Sequence, residues 1–264
     1  MADHPLRVAY IGLGAIGQAT VALANERFED HIESVAALVQ DPQRPRRAGM
    51  PPLVTSVDEL LSSEPDVVVE VAGHDALRAH GPAVLAAGID LYFIAVGALA
   101  DAEFEQQFRS AAEASIGQAR VVSGAIGALD AISAASVGGL ARVTHTTRKP
   151  ATTLMSAEEA ATLTEAREMF RGPAREGALI FPESVNVAAA VSLAGIGLDR
   201  TELCVLADPT IDRNRHEVEV EGEFGFLRFE IQNVPSQDNA RSARLVAMSI
   251  VHQLLNRSAP VVIG

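Results

Sequence analysis

Two short stretches carry residue types that could do chemistry. In GLGAIG, Gly12, Gly14 and Gly17 stand at G-x-G-x-x-G spacing. In NRHEVEVEGEFG, His216 heads a row with Val218 and Val220, while Glu217, Glu219 and Glu221 fill the alternate positions. A glycine turn of the first kind lets a helix N-terminus meet a pyrophosphate: Gly12 allows the tight turn, Gly14 the close approach of backbone, and Gly17 close packing of helix on sheet. Ala15 and Ile16, between the glycines, belong to the same candidate site. A histidine, with an ordinary pKa of about 6.5, can both take and give a proton near neutrality. The plainer alternatives are a strand–helix turn and a core histidine satisfied by one hydrogen bond.

Other candidates lie around these two. EVAGHDA (70–76) is where an apolar run meets a helical pattern, which sets Ala72 and Gly73 beside a nucleotide; His74 is either a site residue or a helix-start residue. THTTRKP puts Arg148 and Lys149 at a strand end. A dicarboxylate would require such cations, although a solvated basic edge looks the same. NVPSQDNARSAR offers Ser236, Asn239 and Arg241 as a polar cluster or as helix caps. The second apolar run ends at Gln40 and Asp41, so Asp41 could hold a ribose hydroxyl. Gln40 would not repel a 2′-phosphate, and Arg44, Arg46 and Arg47 could attract one, so either NAD or NADP is expected as cofactor.

The elements that must position these residues follow from periodicity. LRVAYIG, SVAALVQD (34–41), DVVVEVAG (66–73), LYFIAVGA (91–98) and ARVVSGA (119–125) read as continuous apolar strands alternating with helical stretches. That pattern predicts an α/β domain of the Rossmann type, a doubly wound parallel sheet covered on both faces. After residue 123 the pattern is mixed. It predicts a helix from Ala128, a strand ARVTHTTRKP, an amphipathic helix AEEAATLTEAREMF, a buried helix after FPES, a strand ELCVLADP, and a hairpin turning at GEFG. The terminal NARSARLVAMSIVHQLL is helical and expected to return to the first domain. The expected division is a dinucleotide-binding domain of residues 1–122 plus 240–264 and an α+β catalytic domain of residues 123–239.

The totals exclude several function classes. A net charge of -13 repels phosphate backbones and anionic membranes, and the absence of Trp leaves little surface for stacking bases. Neither nucleic acid nor a membrane is expected as partner. One cysteine rules out an internal disulfide and suits the cytoplasm. The start MADHPLRVAYIGLG has no signal-peptide pattern, and VNVAAAVSLAGIGL (185–198) is too short to span a bilayer. No metal-ligand cluster is apparent.

The combination of GLGAIG, DVVVEVAGHDAL, VGALAD, SGAIGALDAI, TTRKP, FPESVNVAAAVSLAG, ADPTIDRNRHEVEVEGEFG and NVPSQDNARSARL, in this order, resembles the L-aspartate dehydrogenase family nearly end to end. The resemblance implies NAD(P)-dependent oxidation of L-aspartate to iminoaspartate, which hydrolyses to oxaloacetate and ammonia or feeds NAD biosynthesis through quinolinate. It places the family's catalytic histidine on His216, its nicotinamide-contacting asparagine on Asn186 and a backbone contact on Ala125. Lys149, a second catalytic candidate, and Arg241 are the expected carboxylate contacts, with Asn239 beside them. A homodimer is implied as well. Two positions depart from the family's usual pattern: Ser184 replaces a second Asn and Ala151 a second Pro. The competing readings are another two-domain reductase, of the dihydrodipicolinate reductase or homoserine dehydrogenase type, and a nucleotide-binding sensor without turnover.

Overall fold

A computed structural model of the chain describes residues 4–181, 185–234 and 244–262. The chain divides into two compact units, residues 1–124 with 245–264 and residues 125–244. In the first unit, β1 (Leu6–Ile11), β2 (Ile32–Leu38), β3 (Leu53–Val54), β4 (Val67–Glu70), β5 (Asp90–Phe93) and β6 (Ala119–Val121) form one sheet in the order β3-β2-β1-β4-β5-β6. Every pairing in it is parallel. Val8, Ala9 and Tyr10 of β1 and Val67, Val68 and Val69 of β4 are wholly buried, which is why these strands read as unbroken apolar runs.

Four helices belong to this unit from its N-terminal part: α1 (Ala15–Arg27), α2 (Val57–Leu61), α3 (His74–Ala86) and α4 (Ala102–Ala114). Local sequence sets their starts. Ser56 and Glu59 close a capping box on α2, and the Asp101 carboxylate accepts the N–H groups of Glu103 and Phe104 at the head of α4. Phe104 and Phe108, one turn apart, are then buried, and the Phe108 ring meets Phe93 edge-on at 5.3 Å. Strand order reverses between β1 and β4, so their C-terminal ends frame the crevice where doubly wound sheets bind ligands.

Three sequence expectations are corrected here. The sheet has a sixth strand, β3, following the loop that carries Arg44, Arg46 and Arg47; two residues are too few for periodicity to announce it. β2 stops at Leu38, before Gln40 and Asp41. β5 stops at Phe93, and Val96–Ala100 winds into a 3₁₀ turn.

The second unit holds α5 (Leu129–Ser136), β7 (Leu140–Pro150), α6 (Ala157–Ala161), β8 (Arg167–Pro173), α7 (Ala174–Ile180), α8 (Val185–Ala194), β9 (Glu202–Asp208), β10 (Arg215–Gly222) and β11 (Gly225–Gln232). Its sheet runs β11-β10-β7-β9-β8, antiparallel except for the β7–β9 pair. The helix expected over AEEAATLTEAREMF breaks after α6. The rest becomes β8, because the open edge of β9 offers Arg167–Pro173 a ladder that local periodicity cannot foresee. A register shift between Glu168 and Phe170 turns Met169 onto the small apolar cluster of Ala151, Ala160 and Ala207.

In the β10–β7 register, His216 lies opposite Thr147, Val218 opposite His145, and Val220 opposite Val143. Directly opposed residues share a face, so His145, Thr147 and Lys149 stand with His216 and the valines. The end of α8 presses on that face: a Cβ at Gly195 would come 3.1 Å from Val143 Cγ2. The glutamate row on the other face is not simply solvated. Glu217, its side chain 17% exposed, accepts from Arg148 at 2.9 Å and Arg228 at 3.3 Å, and Glu221 pairs with Arg142 at 2.5 Å.

The final helix, α9 (Arg244–Asn256), belongs from Leu245 onward to the first unit, with Val246, Ile250, Val251 and Leu254 buried and Arg257 paired to Asp90 just beyond its end. Among the described residues no helix is long and apolar enough to cross a membrane.

Candidate active site

In the first unit, the glycine turn between β1 and α1 has three distinct requirements. Gly12 sits at φ +96, and a Cβ there would fall 2.6 Å from the Cβ of Ala72. A Cβ on Gly17 would fall 2.7 Å from the Gly12 carbonyl oxygen. Nothing lies within 4 Å of a Cβ built on Gly14. Gly12 and Gly17 are therefore glycine for internal packing, and Gly14 for what comes from outside. No side chain caps α1 and no acidic residue stands in its first turn, where Ala15 and Ile16 lie. Open space above Gly14 at an uncapped helix start fits the pyrophosphate of a dinucleotide.

Glu70, absent from the sequence-level site, organises the neighbouring loop. It is fully buried. Its Oε1 accepts the N–H groups of Ala72 and Gly73, both at 2.7 Å, and its Oε2 accepts that of Ala95 at 3.1 Å. Burial lifts its carboxyl above the ordinary value, against the pull of those N–H groups. Glu70 thus fixes the loop against which Gly12 packs, with Gly73 at φ +123 leading into α3 and His74 as that helix's first residue. The one signal in the sequence was an acid ending a valine run.

Glu70→Gln is expected to lower stability by about 1–3 kcal/mol, because one N–H of the loop would then face an amide NH₂. Urea midpoints together with an NADH titration check this. A variant with unchanged midpoint and unchanged affinity would refute it.

In the second unit, one face of the sheet gathers His216, His145, Thr147 and Lys149. Lys149 is 8% exposed and His216 6%. His216 is held down to about 4, first by burial and then by the positive charge of Lys149. His145 is wholly buried, and burial followed by the nearness of His216 keeps it well below the ordinary histidine value. Its Nε2 lies 3.2 Å from Nδ1 of His216. His145 Nδ1 and Thr147 Oγ1 are buried without a hydrogen-bond partner. Both rings are neutral at neutral pH, and a neutral imidazole is what a proton acceptor requires.

The other sequence candidates are dispersed. Arg148 points to the opposite face, bonded to Glu217 and 3.5 Å from Asp208, so it is a structural cation. The Ala125 carbonyl accepts from Asn233 Nδ2 at 2.8 Å, which fixes that backbone segment. Asn186 is exposed in the first turn of α8. Ser184, Ser236, Asn239 and Arg241 lie outside the described residues. Sequence reasoning passed over His145 and Thr147, although both alternate with Lys149 along THTTRKP.

Residues 130–257 match the family described as aspartate dehydrogenase, C-terminal, and residues 12–121 match the homoserine dehydrogenase NAD binding domain. An L-aspartate dehydrogenase of Ralstonia nicotianae is 38% identical, with 97% of this chain and 99% of that one covered. The chain belongs to the L-aspartate dehydrogenase family. Another L-aspartate dehydrogenase, from Ruegeria pomeroyi, is 42% identical over 81% of this chain and 80% of its own. The solved aspartate dehydrogenase of Thermotoga maritima superposes with a TM-score of 0.83 at 25% identity, covering 99% of this chain and 100% of that one. His216, His145, Thr147 and Lys149 all fall in the stretch shared with the aspartate dehydrogenase C-terminal domain, and the glycine turn and Glu70 in the NAD-binding stretch.

In this member of the L-aspartate dehydrogenase family the residues beyond β2 are partly engaged with one another. Asp41 is exposed, and its Oδ1 accepts the N–H of Gln43 at 2.9 Å. Arg46 donates to the carbonyls of Asp41 at 2.7 Å and Arg44 at 2.8 Å, so its guanidinium shapes the loop. Gln18 ties that loop to α1, donating to Leu13 and accepting from the N–H of Arg47. The loop that follows β2 is thereby anchored beside the glycine turn.

Proposed function

We propose that the chain oxidises L-aspartate to iminoaspartate with NAD or NADP, and that His216 is the acid/base. The observation that carries the assignment of His216 is a histidine kept neutral by burial beside a buried lysine, on one face of one sheet. A nicotinamide cofactor held by the first unit would supply the hydride acceptor for Cα of the substrate. His216 takes the proton of the amine, or activates the water that attacks the imine. Lys149 holds a substrate carboxylate and keeps His216 unprotonated, with Asn239 and Arg241 completing the grip. Gly12, Gly14, Ala15, Ile16 and Gly17 cradle the pyrophosphate, Asp41 holds a ribose hydroxyl, and Ala72 and Gly73 line the cofactor. Asn186 and the Ala125 backbone orient the carboxamide. Iminoaspartate then hydrolyses to oxaloacetate and ammonia, or is consumed in making quinolinate for pyridine nucleotides in the cytoplasm. A homodimer is part of this reading, supported by the open edge of β11, where Phe226 is 57% exposed.

Initial rates with L-aspartate, D-aspartate, L-glutamate and L-alanine, each with NAD and NADP, test it. L-aspartate should be turned over with both cofactors and at least tenfold faster than the rest; a faster rate with any other amino acid would exclude the assignment. Lys149→Met is expected to raise KM for aspartate by about 10–100-fold, as removing a hydrogen bond to a charged group costs about 1.5–3 kcal/mol. NADH affinity should change little, and an equal loss on both ligands would count against a substrate contact.

A further inference from the structure

His216 does not stand alone on its face, and the group beside it decides which of its nitrogens is free. We propose that His145 is a positioning residue: its Nε2 accepts the Nδ1–H of His216, leaving Nε2 of His216 as the lone pair offered to substrate. This rests on the reading of His216 as acid/base.

The two nitrogens are 3.2 Å apart, and both rings are neutral at neutral pH, so one proton lies between them. Two arrangements are possible. If His145 donates from Nε2, then His216 carries its proton on Nε2 and cannot act there as a base. If His216 donates from Nδ1, its Nε2 is free, and His145 carries its own proton on Nδ1. Charge distinguishes the two. Thr147 lies directly opposite His216, so His145 flanks it two residues to one side along β7 and Lys149 two residues to the other. The protonated nitrogen is the positive end of a neutral imidazole. The positive charge of Lys149, acting on His216 from the opposite flank, favours a proton turned toward His145 and a lone pair turned away from it. The burial of His145 adds a second constraint. A ring held at full burial on the central strand of the sheet cannot swing away, so the orientation of His216 is inherited from the core.

The arrangement can be read directly. In protein labelled with ¹⁵N-histidine at neutral pH, with the chain's seven histidines assigned by single variants, His216 should show a protonated Nδ1 and an unprotonated Nε2. His145 should show the same pattern. A protonated Nε2 with a bare Nδ1 on His216 would overturn the proposal. Kinetics give a second reading. His145→Phe removes the acceptor and should lower kcat about tenfold or more, with KM for aspartate and NADH within about twofold. His145→Gln returns an acceptor oxygen near the same place and should recover most of the lost kcat. Equal loss of kcat in the Phe and Gln variants, or none in either, would also overturn it. If His216→Ala itself keeps full turnover, the role of His216 fails, and the spectra still report whether His145 holds its proton.

Discussion

Replacing His216 by alanine is expected to lower kcat by about 10²–10⁴-fold, the usual contribution of a positioned acid/base, while NADH binding persists. The loss should fall on the chemical step, since nothing in the second unit's histidine pair belongs to the glycine turn that would hold the dinucleotide. Near-normal turnover in a folded variant would remove His216 from the mechanism. The pH profile gives an independent reading. Because His216 is held down to about 4, the acidic limb of kcat/KM assigned to it should lie near that value and not near 6.5. Stability should move with pH in a fixed direction. Between 6.5 and about 4 the unfolded chain binds protons at this position that the folded chain refuses, so stability is full above 6.5 and falls as the pH is lowered. The slope from His216 alone approaches about 1.4 kcal/mol per pH unit, and His145, depressed in the same sense, steepens it. Denaturant midpoints at pH 7.5 and 5 should therefore differ less in a variant lacking both rings than in the native chain. An identical drop in both would show that the histidines are not responsible.

Gly14→Val is expected to abolish measurable NADH binding without unfolding the protein. A side chain here meets no protein atom within 4 Å, and the residue's φ of −77 is one that valine adopts readily. The new methyl groups would occupy the space a pyrophosphate needs beside the helix start. Gly12→Val should do the reverse of this separation. Its φ of +96 and the 2.6 Å approach to Ala72 make it a folding defect first, at a cost of several kcal/mol. Thermal unfolding and an NADH fluorescence titration on both variants distinguish the two. If Gly14→Val binds NADH within tenfold of the native chain, the open space above that residue is not the phosphate site.

Much of the first unit was legible because its strands are buried on both faces and so read as apolar runs, with the glycine turn in the context that dinucleotide binding demands. What escaped was non-local. β3 is too short to register, and Arg167–Pro173 satisfies a helical period yet pairs with β9, an edge no local window contains. The site divides in the same way. His216 could be picked out by alternation within one strand. His145 becomes its neighbour only through the β7–β10 register, and Glu70 acquires its task only when the loop of Ala72 and Gly73 folds back over it. The ion pairs of the glutamate row are non-local as well, because nothing in their own strand reveals Arg142 and Arg148 on β7 or Arg228 on β11.

The return of α9 sets the order in which the molecule can be finished as it leaves the ribosome. Residues 1–124 emerge first but lack the helix that carries Val246, Ile250, Val251 and Leu254 into their unit. Residues 125–244 emerge as an uninterrupted segment and can complete their own sheet while the earlier part waits. A polypeptide arrested before residue 245 would carry a finished second unit on an unfinished NAD-binding unit. The surface α9 normally covers would then be left for chaperones to shield.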